Sequence, residues 1–298
     1  MIIFLVGLII FCTALPTVTY RGLIRPPRRT YASAVARGRP GDPGEISPAD
    51  GGPLEFREWE FQSRGVTLKV WDVRGECDNG PCFVMTHGWG DSKVGALSRI
   101  AALRSLGSRF IAWDLRGHGE SGGSSTLGAI EHDDLMQLIT QIRTESPLVL
   151  MGWSMGAGIS MEVAARHPIG VHAVVSEAPY RLAVTPARNM LKGMGLPAGL
   201  NLSTALRIIG MCSKRSFFGG DPQPFDRCFW SGALTCPLLV LHGDCDEISP
   251  IEDGRDIAGA AKRGTFVTME GIGHDGMWTN STSREIGLRS VRDMLPAP

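Results

Sequence analysis

The chain has 298 residues, and its 30 Lys plus Arg balance 30 Asp plus Glu for a formal charge of zero. Apolar residues make up 43% and charged residues 20%, which excludes a disordered or collagen-like chain and leaves material for a sizeable core. The neutral balance removes the main mark of a nucleic-acid binder, so no nucleic-acid partner is expected.

The charge is unevenly placed. Nothing between Met1 and Tyr20 is charged, and Met1–Leu15 reads MIIFLVGLIIFCTAL. About 20 helical residues span roughly 30 Å, the thickness of a bilayer core, so residues 1–20 are expected to form an N-terminal membrane segment. A cleaved signal normally carries basic residues ahead of its apolar run, and only the α-amino group precedes this one. A retained single-pass anchor is therefore favoured over a cleaved signal that would leave a secreted domain; a buried helix is the third reading. Arg21, Arg25, Arg28 and Arg29 follow directly, and the positive-inside rule would hold that flank, and the domain with it, on the cytoplasmic side. Residues 21–54, with RPPRR, GRPGDPGE and ADGGP, read as a Pro/Gly-rich linker with room for a helical turn at Ala32–Arg37.

From about residue 55 the chain alternates strand-like and helix-like runs. Phe56–Gln62 and Val66–Arg74 read as a half-buried antiparallel pair. Short apolar runs at Cys82–Thr86, Arg109–Asp114, Leu148–Met151, Val171–Val175, Pro237–Leu241 and Thr265–Met269 suit buried parallel strands. Between them lie helix candidates at Lys93–Leu106, Leu127–Thr144, Met155–His167, Ile251–Ala261 and Ser283–Met294. The alternation predicts an α/β fold, a mostly parallel central sheet with helices on both faces, in one domain over 55–298. Residues 180–230 break the rhythm and are too long for an ordinary connection. They read as a helical cap, and its Leu191, Met194, Leu200, Leu202, Leu206, Ile208 and Ile209 either line an apolar pocket or dock the cap on the core.

The seven cysteines form no C-x-x-C pair, so no zinc site is expected. Cys77 and Cys82 flank a turn and could pair only in an oxidising compartment; free thiols are the favoured reading.

Gly152-Trp153-Ser154-Met155-Gly156 is a G-x-S-x-G between a strand and a helix candidate. That corner would present the serine Oγ outward and aim the following backbone N–H at a substrate. A hydroxyl needs a base, and His274 stands in the loop between the last strand and the last helix candidates. The base needs an orienting carboxylate. Asp244, Asp246 and Glu247 follow the strand at Pro237–Leu241, and Glu177 follows the strand at Val171–Val175. His87-Gly88-Trp89-Gly90 could bring backbone donors to an oxyanion, so the N–H groups of Trp89 and Met155 are the candidate oxyanion hole. His87 itself is read as a loop brace.

HGWG at 87–90, DLRGHGES at 114–121, GWSMG at 152–156, HGDCDEISP at 242–250 and GIGH at 271–274 together resemble the α/β-hydrolase family over residues 55–298. In that family the acid stands three residues after the Gly of the fourth motif, with Pro four further on. Gly243, Asp246 and Pro250 fit, so the resemblance selects Asp246 and implies a triad of Ser154, Asp246 and His274. It also implies that Asp114, Arg116 and His118 are structural. The implied activity is that of a serine hydrolase of the carboxylesterase or lipase kind, acting on a small acyl ester or lipid-like substrate without metal or cofactor. A thioesterase or peptidase would use the same residues, and a lyase, an acyltransferase or a receptor-like binding protein could occupy the same scaffold.

Overall fold

The computed structural model describes residues 14–168, 170–193, 195, 197–218 and 224–295. Most of the apolar segment Met1–Leu15 thus lies outside the described residues. Among these, no helix is long and apolar enough to cross a membrane.

The described residues form an eight-stranded sheet in the order β1-β2-β4-β3-β5-β6-β7-β8. The strands are β1 (Phe56–Ser63), β2 (Val66–Arg74), β3 (Cys82–Thr86), β4 (Arg109–Trp113), β5 (Leu148–Trp153), β6 (Val171–Glu177), β7 (Leu238–Gly243) and β8 (Gly264–Met269). The β1–β2 pair is antiparallel, as the run pattern predicts; β2–β4 is antiparallel as well, and every other pair is parallel. Because successive side chains point to opposite faces, each buried strand feeds two cores. In β3, Cys82 and Val84 join one cluster while Phe83 and Met85 join the other. The first core is closed by α4 (Glu131–Gln141), α5 (Met155–Arg166), α8 (Arg227–Gly232) and α9 (Ile251–Ala260). The second is closed by α3 (Leu97–Leu103) and α10 (Ser281–Met294).

Two helices begin later than the sequence predicts. The run from Lys93 opens as a 3₁₀ turn over Lys93–Ala96 before α3. The run from Leu127 becomes helical only at Glu131, because Leu127 and Gly128 take positive φ. The buried Glu131 carboxylate instead accepts hydrogen bonds from the backbone N–H groups of Thr126 and Gly128 and from the Thr126 hydroxyl.

The cap insertion folds as α6 (Val184–Gly193) and α7 (Gly199–Ser213), followed by α8. Leu191, Leu202, Leu206 and Ile209 are buried in the first core, so these residues dock the cap. Met194 and the Leu200 side chain lie outside the described residues.

The Pro/Gly-rich stretch differs most from its expected form. Composition predicts a tether over 21–54, but the chain lies along the domain as a strap. A helix over 14–24, here α1, buries Thr19 and Leu23, and α2 (Tyr31–Val35) follows it. Asn201 Nδ2 donates to Thr19 Oγ1 at 3.0 Å, and Trp89 Nε1 donates to the Leu23 carbonyl at 2.8 Å. Further along, Ile46 and Leu54 enter the second core. Arg284 pairs with Asp50 at 2.8 Å, and Arg104 Nη1 donates to the Gly52 carbonyl. Proline and glycine weaken regular elements, but they do not stop intervening apolar residues from being buried. Two of the prolines open 3₁₀ turns, at Pro43–Glu45 and Pro48–Asp50.

The six described cysteines are free thiols, Cys77 and Cys82 included. Burial pushes the Cys82 thiol up to about 12.

Candidate active site

Ser154 is the hinge between β5 and α5, with φ 53° and ψ −115°. An L-residue is strained in that region, so the surrounding packing must hold the corner in place. It does so closely. A Cβ on Gly152 would stand 2.2 Å from the Gly156 carbonyl oxygen, and one on Gly156 would stand 2.0 Å from the Thr86 carbonyl oxygen. The two glycines of G-x-S-x-G are thus required by backbone approaching backbone. The Ser154 N–H donates to the Glu177 carbonyl at 2.8 Å, tying the corner to β6. The Met155 amide, at the first position of α5, has no carbonyl in its own helix to bond.

Behind this corner lies a buried network that the motifs did not foretell. Arg99 meets the Glu177 carboxylate through Nε at 2.8 Å and Nη2 at 2.6 Å. Trp278 Nε1 donates to the same carboxylate at 2.7 Å. The Arg99 guanidinium lies 3.8 Å from the centre of the Trp153 ring, and Trp153 Nε1 donates to Asp91 at 2.9 Å. Glu177 is therefore occupied as a structural anion, which removes it as a partner for His274. The available signal was the adjacency of Trp153 and Asp91 to the two motif loops, but adjacency in sequence does not disclose a pairing.

His274 and Asp246 come together at the ends of β8 and β7. His274 Nδ1 lies 2.8 Å from Asp246 Oδ2. The Asp246 side chain is fully buried, and its Oδ1 accepts the backbone N–H groups of Ile248 and Ser249, both at 2.8 Å. Burial alone would raise its pKa, but the hydrogen bonds from His242 and His274 outweigh burial and hold it well below the usual carboxylate range. Burial likewise pushes the His274 imidazole down, and the Asp246 hydrogen bond and charge reverse this, so its pKa is raised. Asp244 is exposed and accepts the Gly271 N–H at 2.7 Å, and Glu247 is exposed. Of the four carboxylates that the sequence offered, Asp246 alone meets His274 in the contacts described.

The 87–90 loop crosses close to the serine, and a Cβ on Gly88 would stand 3.1 Å from the Ser154 Cβ. His87 is fully buried; its Nδ1 donates to the Gly88 carbonyl at 2.7 Å and its Nε2 accepts the Leu115 N–H at 3.0 Å. Burial lowers its pKa, so it stays a neutral brace, as read from the sequence. The 114–121 turn is structural too. Asp114 accepts from Lys93 and from the Glu120 N–H, and Arg116 holds Asp134 through two hydrogen bonds of 2.6 Å.

Ser154, His274, Trp89 and Met155 all line one cavity of about 380 Å³. Its apolar walls come from Leu127, Tyr180, Ala183, Ala187 and Met190, and from Leu23 of the strap. Ala187 and Met190 of α6 thus face the cavity, while none of the α7 residues among the sequence's pocket-or-docking candidates lines it. Among the described residues no cluster of His, Cys, Asp or Glu could hold a metal ion.

A strand order of this kind, with the serine corner after β5 and the Asp246–His274 pair after β7 and β8, defines the class: the chain has an α/β-hydrolase fold, is similar to esterases and lipases of that family, and is an enzyme of the serine-hydrolase type. A family profile described as serine aminopeptidase, S33, matches residues 80–207. A pimeloyl-[acyl-carrier protein] methyl ester esterase of Chromobacterium violaceum is 29% identical over 214 residues, 60% of this chain and 81% of the relative. A monoacylglycerol lipase of Mycolicibacterium smegmatis is 27% identical over 250 residues, covering 66% of this chain and 82% of the relative. The crystal structure of a Pyrococcus furiosus esterase superposes with a TM-score of 0.64 at 20% identity, over 92% of this chain and 97% of that one.

Proposed function

We propose that the protein hydrolyses a carboxylic ester through an acyl-enzyme on Ser154, with His274 as general base and acid and Asp246 as its orienting carboxylate. The observation that carries this reading is the 2.8 Å His274–Asp246 contact at the rim of the cavity that Ser154 also lines. Asp246 fixes the Nδ1–H tautomer, which leaves Nε2 to take the serine proton and later return it to the leaving alcohol. Water activated by the same nitrogen then releases the acid. The backbone N–H groups of Trp89 and Met155 would stabilise the oxyanion, the second of them aided by the positive end of α5. The ester reading is also supported by the relatives, one named as a methyl ester esterase and another as a monoacylglycerol lipase. The apolar walls suit an acyl chain.

Fluorophosphonate labelling is the test. Wild type should label and Ser154→Ala should not; labelling that persists in the variant excludes Ser154 as nucleophile. A panel of matched esters, thioesters and amides should show the ester turned over fastest.

We also propose that the uncharged N-terminal segment, residues 1–20, anchors the enzyme to a membrane, with the domain on the cytoplasmic side. The uncharged run and the arginines after it support this. Amino-terminal sequencing of the membrane fraction should find Met1 or Ile2, and a terminus beyond residue 15 would mean a cleaved signal.

A further inference from the structure

The strap does more than lie on the surface. Leu23, Pro27, Arg28, Arg29 and Arg37 all line the Ser154 cavity, so a segment that composition marks as a linker forms part of its wall. Three of these five are arginines, and they are incompletely paired. Arg28 spends one nitrogen, Nη1, on the carbonyls of Gly119 at 3.0 Å and Ser121 at 2.8 Å. Arg29 makes a single contact of 3.4 Å with Asp91. Arg37 is exposed and has no ion-pair partner among the described residues. A guanidinium carries five donors in a planar fork, so most of this capacity is unspent.

The acidic groups facing the same space are Asp91 and Asp275. Asp91 already accepts from Trp153 Nε1 and Arg29. Asp275 is exposed beside His274. The strap side of the cavity is therefore cationic while the cap side is apolar. A second groove of about 430 Å³ continues past Arg29 and Arg37 to Arg39, so the cationic side has room beyond the serine.

We propose that Arg28, Arg29 and Arg37 form an anion-binding rim and that the substrate is an ester bearing a carboxylate or phosphate group remote from the scissile bond. This rests on the ester-hydrolase reading of Ser154 and names the substrate class for it. The apolar cap wall takes the hydrocarbon part, and the arginines take the charged end through charge-assisted, fork-shaped hydrogen bonds.

The first measurement compares kcat/KM for the mono-p-nitrophenyl ester of suberate with that for p-nitrophenyl octanoate, and for a 1-acylglycerol-3-phosphate with the matching 1-acylglycerol. Wild type should favour at least one charged member by about tenfold or more, mainly through KM; a decade corresponds to ~1.4 kcal/mol. A preference confined to the suberate ester assigns a carboxylate, and one confined to the phosphate lipid assigns a phosphate. Arg28→Gln and Arg37→Gln should bring the charged-to-neutral ratio toward one. Arg289→Gln, an exposed residue on α10, should leave that ratio as in wild type. Equal rates for charged and neutral esters in wild type, or a ratio untouched by the strap variants, overturn the rim.

Calorimetry on Ser154→Ala reads binding without turnover, with decyl phosphate and 1-O-decylglycerol as probes. Tighter binding of decyl phosphate, lost in Arg37→Gln, supports the rim even if no ester is hydrolysed, and in that case the ester reading alone fails. Equal binding of the two probes overturns the rim.

Discussion

Arg99 clasps Glu177 through two hydrogen bonds of 2.8 and 2.6 Å, directly behind the serine corner, with both side chains buried. The Glu177 backbone carbonyl holds the Ser154 N–H, so the same residue anchors the corner and the ion pair. Removing one partner leaves a buried charge without compensation, which costs ~3–5 kcal/mol. Arg99→Met should therefore lower stability by about that amount, read as a fall in the urea midpoint at unchanged slope. A loss below ~1 kcal/mol would mean that water reaches the carboxylate.

The Asp246 assignment separates from its neighbour by mutation. Asp246→Asn should cut kcat by about 10⁴, because an amide there favours the wrong imidazole tautomer. Asp244→Asn should retain near-wild-type kcat, since Asp244 only caps the Gly271 N–H. The reverse pattern on a p-nitrophenyl ester would reassign the acid.

The same pair sets two pH dependences. The His274 pKa is raised above the ordinary 6.5 because the Asp246 hydrogen bond and charge outweigh burial. Since the base must be neutral, kcat/KM should climb with pH through a value above 6.5. In Asp246→Asn, burial is left to dominate and this limb should move to lower pH. For stability, a raised imidazole contributes fully below its unfolded pKa, and that contribution is lost as pH rises through the folded value. The depressed Asp246 contributes above its ordinary 3.8 and loses this as pH falls through its folded value. The stability difference between wild type and Asp246→Asn, followed by urea midpoints, should therefore be largest between those limits.

Backbone strain at Ser154 predicts a stability order. Ser154 holds φ 53° and ψ −115°, a region that costs an L-residue ~1–3 kcal/mol and glycine far less. Ser154→Gly should therefore be more stable than Ser154→Ala by ~1 kcal/mol, despite the greater freedom of glycine in the unfolded chain. Gly156→Ala should do the opposite, because its new Cβ would stand 2.0 Å from the Thr86 carbonyl oxygen. Differential scanning calorimetry of the three variants orders them directly.

The sheet and the facing residues of the site were legible because each has a local cause. Apolar runs of strand length mark β3 to β8, and the glycines at 88, 152 and 156 answer to close backbone approaches, whereas Asp246 was singled out among four carboxylates by the family resemblance alone. The strap was not legible. Its burial rests on a few separated residues, Leu23, Ile46 and Leu54, whose partners lie far along the chain. Pro and Gly content reports local stiffness and turn preference, and carries no information about such long-range contacts. Arg28 and Arg29, read from the sequence only as a flank of the apolar segment, also reach Gly119, Ser121 and Asp91, contacts that no local pattern announces.

Whether the strap opens locally can be tested at Leu23. Its side chain is 6% exposed in the first core, and its carbonyl accepts the Trp89 indole N–H at 2.8 Å. Leu23→Ala removes buried methyl groups worth ~2–5 kcal/mol at a typical core site. Among the described residues the strap pairs with no strand of the sheet, so the cost should fall on its own undocking, ahead of global unfolding. Trypsin should then cut after Arg28, Arg29 or Arg37 at least tenfold faster than in wild type, by the ~1.4 kcal/mol per decade of opening, while the global urea midpoint moves little. Since Trp89 lines the Ser154 cavity and is steadied by the same carbonyl, KM for a p-nitrophenyl acyl ester should rise in step with cleavage. An unchanged cleavage rate together with an unchanged KM would place the docking energy downstream, at Ile46 and Leu54, and would make the Leu23 contact incidental.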